Sequence, residues 1–136
     1  RIPTHMAYNV TILDAMCVVH TIEVSPSSRP EVTSRPFAVN HQVDFSLTNY
    51  AMFSKSYERK QAILDKLFDS SVTLESFVNA FEYAPLWASN HDGAFGTLYT
   101  AVYNPALKAM EYRWPYHTRV YQSFETFEER ELWVGY

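Results

Sequence analysis

Two stretches near the start of the chain read as strands, the second with apolar and polar positions alternating at a period of two. Tyr8 to Leu13 and Val18 to Val24 are rich in β-branched and aromatic residues, which suit a pleated, half-buried backbone. In the second stretch Val18, His20, Ile22 and Val24 fall on one face, and Val19, Thr21 and Glu23 on the other, since successive strand side chains point to opposite sides. Asp14-Ala15 separates the stretches and predicts a hairpin. Ser25 to Pro30 is a loop by composition. Phe37-Ala38-Val39-Asn40-His41 predicts a third strand whose polar end emerges from the sheet, and residues 42–53 read as irregular.

The period then changes. From Ser54 to Asp69 the apolar residues Tyr57, Ile63, Leu64, Leu67 and Phe68 lean toward one side at helical spacing, with Ser54 or Ser56 as cap. A second helix starts at Thr73, where Leu74, Phe77, Val78 and Phe81 follow the i, i+3, i+4, i+7 pattern, and Pro85 stops it. Asn90 to Gly96 is a turn-rich connector. Thr97 to Tyr103 and Ala109 to Trp114 predict a second hairpin around Asn104-Pro105-Ala106-Leu107-Lys108. Residues 123–130 predict one or two helical turns. The resulting class is α+β, an antiparallel sheet with two packed helices, in which the uncovered sheet face calls for a further layer.

Composition narrows the functions open to such a fold. Aromatics make up 16% of 136 residues, too much buried-surface potential for a disordered chain. Three glycines rule out a Gly-rich phosphate cradle. The net charge of −4 is spread without a basic face, so nucleic acid is not an expected partner. No apolar run approaches the roughly 20 residues that span a bilayer, and no signal peptide is visible; a cytoplasmic location is favoured. The one cysteine, Cys17, excludes an internal disulfide framework and reads as a buried strand residue. Strand-like sequence follows Met6 almost at once, which suggests that the chain belongs inside a longer gene product.

Three polar positions carry candidate chemistry. The histidines do not cluster at metal-ligand spacing, so neither a metal nor another cofactor is expected. No Gly-x-Ser-x-Gly elbow occurs, and Glu128-Glu129 reads as a solvated face. Asn40, at the predicted strand end, either aims its amide N–H into a cleft, where such a donor stabilises an oxyanion, or satisfies the backbone of a turn together with His41. Arg59 lies early in a helix, at the end where the dipole disfavours a cation. It therefore wants an anion or carboxylate partner, functional or in a surface salt bridge.

In ordered combination, Tyr8-Asn9-Val10-Thr11-Ile12-Leu13-Asp14, Val39-Asn40-His41-Gln42, Ser56-Tyr57-Glu58-Arg59, the run from Gly96 to Pro105 and Tyr112-Arg113-Trp114-Pro115 give a likeness over nearly the whole chain. The chain resembles the C-terminal half of the penicillin acyltransferase family, relatives of choloylglycine hydrolase and penicillin V acylase. The resemblance implies an N-terminal-nucleophile hydrolase with an αββα sandwich, of which residues 1–136 form the C-terminal portion. It implies a linear-amide hydrolase or acyltransferase whose nucleophile is a Cys at a processed N-terminus, with the free α-amine as base. By position, Asn40 looks like the oxyanion-hole Asn and Arg59 like the Arg that lies near the nucleophilic thiol; His41 follows Asn40 in the family pattern and is a candidate substrate-binding residue.

The family's nucleophile has no counterpart here, since residue 1 is Arg and Cys17 falls within a predicted strand, not at a chain start. A missing N-terminal segment or a second chain is therefore expected to complete the enzyme, and a homo-oligomer is admitted. This chain alone is expected to be inactive. The substrate is a small-molecule amide: penicillins, conjugated bile acids, N-acyl amino acids and small peptides all fit the family. The alternative is a non-catalytic interaction domain that pairs with a partner through its aromatic-rich layer.

Overall fold

The computed structural model describes residues 5–42, 48–90 and 95–135. The chain divides into two compact units, residues 1–61 and residues 62–136. The first unit is built on an antiparallel sheet of β1 (Tyr8–Leu13), β2 (Val19–Val24) and β3 (Glu31–Thr33), in that order. Val10 stands opposite Ile22, and Ile22 opposite Val32. That register gathers Tyr8, Val10, Ile12, Ile22, Val24 and Val32 on one face, and Asn9, Thr11, Thr21, Glu23 and Thr33 on the other.

The polar face is the more deeply buried. Thr21 is fully buried and Glu23 is 5% exposed, whereas Val10, Ile12 and Val32 are 38%, 43% and 61% exposed. Buried polar groups are costly unless each finds a partner, and these do. Glu23 pairs with Arg35 at 2.6 Å. The Thr21 hydroxyl donates to the Arg35 carbonyl at 2.8 Å, with the Phe37 carbonyl at 3.3 Å and the Thr11 hydroxyl at 3.1 Å.

These contacts explain a correction. Residues 37–41 do not form the third strand; Glu31–Thr33 does. The carbonyls of Arg35, Phe37, Val39 and His41 accept from the side chains of Thr21 and Asn9, so the segment is held by side chains and not by a strand ladder.

Cys17 is a second correction. The Asp14 carboxylate accepts from the Met16 and Val18 N–H groups at 2.8 and 2.9 Å, and the Asp14 N–H donates to the Val18 carbonyl. The hairpin connection therefore runs from Asp14 to Val18. Cys17 sits in it at φ 62 with its thiol exposed, not buried in a strand.

Part of the stretch read as irregular is helix α1 (Thr48–Phe53), while residues 43–47 lie outside the described residues. Lys55, at φ 50, donates its N–H to the Met52 carbonyl and ends the α1 turn, a left-handed helix stop in a non-glycine residue. Helix α2 (Ser56–Phe68) consequently begins at Ser56, not Ser54, and runs on past the boundary between the units.

In the second unit α3 (Leu74–Asn79) starts where expected. The Thr73 hydroxyl accepts from the Ser76 N–H and the Ser76 hydroxyl accepts from the Thr73 N–H, a reciprocal capping box. A 3-10 turn, Ala80–Glu82, continues it. Short strands β4 (Ser89–Asn90) and β5 (Phe95–Gly96) pair with each other; the expected connector between them falls largely on residues 91–94, outside the described residues. Strands β6 (Thr100–Asn104), β7 (Ala109–Arg113) and β8 (Val120–Ser123) form an antiparallel sheet in chain order. The helical turns expected at 123–130 are absent. Ser123 ends β8 instead, its hydroxyl accepting from the Thr126 N–H in a local turn. The α+β class with antiparallel sheets stands, and no helix among the described residues is long and apolar enough to cross a membrane.

Arg113, 3% exposed, anchors the second unit. Its guanidinium lies 2.7 Å from Glu111, 3.3 Å from Glu75 and 3.5 Å from Glu82, and donates to Asn79 at 2.7 Å. Burial opposes its charge, but the contacts with Glu111 and Glu75 outweigh burial and raise its pKa. Arg113→Ala would leave Glu82, 15% exposed, without its cation, and Glu111, 16% exposed, with Arg119 alone at 3.4 Å. We expect a loss of about 3–5 kcal/mol in urea unfolding of the protein, the range for a broken buried pair. A loss under about 1 kcal/mol, typical of surface pairs, would contradict this.

Candidate functional site

The site lies within the first unit and starts from an Asn in a strand. Asn is depleted in strands, yet Asn9 occupies the second position of β1. Its amide nitrogen donates to the Val39 carbonyl at 2.7 Å and the His41 carbonyl at 3.3 Å. Its oxygen accepts from Gln42 at 3.0 Å. Gln42, 6% exposed, also donates to the Tyr8 carbonyl at 3.1 Å and the Val24 carbonyl at 3.0 Å. Two carboxamides thus tie residues 39–42 to β1 and β2.

Between the tethers Asn40 projects outward. It is exposed, and its side chain makes no hydrogen bond with the described residues. The alternative that Asn40 satisfies its own turn is therefore not what is found. A cleft of about 910 Å³ opens here, with Met6, Tyr8, Pro26 and Val39 as apolar wall and Asn40 and His41 as polar wall.

His41 is fixed by α2. Its Nδ1 lies 2.8 Å from the hydroxyl of Ser56, which is fully buried, and the Tyr57 ring stands 4.5 Å from the imidazole centroid. Burial lowers the His41 pKa, helped by Lys60 and Arg35 and opposed by Glu23. The imidazole is therefore neutral near pH 7.

Arg59 lies one helical turn beyond Ser56, on the same side of α2. It is half-buried and forms no ion pair with the described residues; its Nε is buried without a hydrogen bond. Burial lowers its pKa and the nearby Tyr50, itself a cleft residue, acts in the other direction. The salt-bridge alternative for Arg59 is thus not observed among the described residues.

Asn40 and His41 come together in the lining of one cleft, whereas Arg59 does not line it and is linked to it only through the charge effect of Tyr50. The positions that sequence reasoning passed over are Asn9, Gln42, Tyr50 and Ser56. Only Asn9 left a signal, as a strand-disfavouring residue in a strand pattern. Cys17 does not line the cleft, and no cluster of His, Cys, Asp or Glu able to hold a metal occurs among the described residues.

The depressed His41 pKa has a defined consequence for stability. The unfolded chain binds the proton first, near the ordinary value of about 6.5. The contribution is complete above that pH and is lost as pH falls from there toward the lower folded value. In a pH titration followed by NMR, the His41 ring should show its midpoint below about 6.5. His41→Gln should flatten the fall of stability over that window, and a midpoint above the ordinary value would contradict the assignment.

Comparison with curated proteins and with solved structures gives no match. Comparison with protein families does: residues 1–118 match the family described as acyl-coenzyme A:6-aminopenicillanic acid acyl-transferase. A match over that share of 136 residues settles the assignment, and the chain carrying the Asn40 cleft belongs to this acyltransferase family.

Proposed function

We propose that the chain supplies the oxyanion-binding part of a cysteine-dependent hydrolase or acyltransferase acting on linear amide bonds. The supporting observation is the Asn40 carboxamide, unbonded among the described residues in the wall of a cleft, on backbone tethered at both sides. In this reading a thiolate attacks the amide carbonyl, and Asn40 donates an N–H to the oxyanion that forms. The C–N bond breaks, the amine leaves with a proton from the α-ammonium, and a thioester remains. Water or another amine then releases the acyl group.

Arg59 is the cation that lowers the pKa of the thiol, a role that fits a guanidinium without a carboxylate. His41 has Nδ1 engaged with Ser56, which leaves Nε2 as the atom that contacts substrate. The nucleophile belongs to sequence outside these residues, on a preceding segment or a second chain. Cys17 does not suit the role, because a cut before it would sever the β1–β2 hairpin. The exposed Val10, Ile12 and Val32 face of the first sheet suits the stacking layer of an αββα sandwich. It equally favours the second reading, a non-catalytic domain that binds a partner there.

The full-length gene product, assayed against penicillins, conjugated bile acids and N-acyl amino acids, tests the proposal. Asn40→Ala should lower kcat by about 10²–10³-fold, as for other single oxyanion donors. Arg59→Met should move the acid limb of kcat/KM to higher pH. Replacing the processed Cys by Ala should abolish turnover, and the isolated 136-residue chain should be inactive. Amide cleavage that survives the Cys replacement would sink the mechanism.

A further inference from the structure

We propose that Asn9 and Gln42 are positioning residues for the acyl-transfer step, acting by fixing the backbone on either side of Asn40. This rests on the oxyanion reading of Asn40 and adds the residues through which that donor is aimed. The chain bends at Asn40 and at His41 and has no strand partner there. The single Asn9 carboxamide donates to the carbonyl before Asn40, that of Val39, and to the one after it, that of His41. Gln42 binds the Asn9 oxygen and, with the same amide, the Tyr8 and Val24 carbonyls of two strands. The Asn9 amide nitrogen is thereby spent on two carbonyls and the Gln42 amide nitrogen is shared among three acceptors, so the donors of both side chains, which line the cleft, are used in the clamp. The Asn40 side chain between them stays unbonded. An oxyanion donor must be held to within about 0.5 Å of its productive place, and a misplacement of about 1 Å costs on the order of 10²-fold in rate. On a segment without a ladder, this clamp is the element that sets that place.

A clamp that merely stabilised the fold would lower activity whether or not Asn40 were present. The experiment is therefore a double-mutant cycle in the full-length enzyme. Asn9→Asp keeps the shape and removes both donors. Alone, it should lower kcat by about 10–100-fold with KM for the acyl donor nearly unchanged. In the Asn40→Ala background the same change should cost less than about twofold, because the group it aims is gone. Asn9→Ser, which keeps a single donor, is the milder variant if Asn9→Asp does not accumulate folded enzyme, and should show a smaller loss with the same dependence on Asn40. Equal losses in both backgrounds would overturn the positioning role, as would an undiminished kcat for both Asn9 variants while Asn40→Ala is impaired. If Asn40→Ala itself turns over normally, the oxyanion reading fails, and the catalytic role of the clamp fails with it.

Discussion

Backbone carbonyls that leave a sheet still need donors, and those of Arg35, Phe37, Val39 and His41 find them in the side chains of Thr21 and Asn9. Thr21, Asn9 and Gln42 project from or beside β1 and β2 onto the carbonyls that a neighbouring strand would otherwise have bonded or onto the strand ends themselves. The rest of the first unit depends on this. Because the covering segment offers carbonyls, the sheet face beneath it has to be polar, and Thr21 and Glu23 are buried where valines would be usual. Because it is not a strand, it bends freely enough to present Asn40 outward and His41 toward α2.

The same choice determines the other face. An antiparallel sheet commonly buries its apolar side and wets its polar one. Here the polar side is already occupied, and Val10, Ile12 and Val32 are left as the surface on which a further layer can gain stability by burial. The second unit handles burial differently. Its most buried charged residue, Arg113, is met by carboxylates from α3, the 3-10 turn and its own strand. That network holds elements of different type together.

The periodic elements were legible in the sequence because their signals are local. The two hairpins, α2 and the Thr73 cap depend on alternation, helical spacing and a capping pair that lie within a few residues. What was illegible depends on long-range contacts. Phe37 to His41 has the composition of a strand, and only Thr21 and Asn9, some sixteen to thirty-two residues away, remove its ladder. Cys17 looks like strand interior until Asp14 widens the turn. Helix α1 carries no cap signal strong enough to announce six residues. For the site, Asn40, His41 and Arg59 could be singled out as residue types with a chemical use. Ser56 and Gln42 could not, since a serine before a helix and a glutamine in a loop look alike whether or not they hold a neighbour.

Charge separates the roles of His41 and Arg59 on the proposed reading. A site that develops an oxyanion and keeps a thiolate gains from a nearby positive charge that does not vary with pH. Arg59 meets that need, because even a lowered guanidinium pKa leaves it charged. His41 would compete for the same role if it were protonated, but burial together with Lys60 and Arg35 keeps it neutral. Its Ser56 contact engages Nδ1 and leaves Nε2 for other partners. On that reading the cleft residues Asn40 and His41 offer hydrogen bonds without charge, and Arg59, which does not line the cleft, supplies the fixed cation. That arrangement lets a neutral amide enter, while reserving electrostatic stabilisation for the charge that appears only as the amide is attacked.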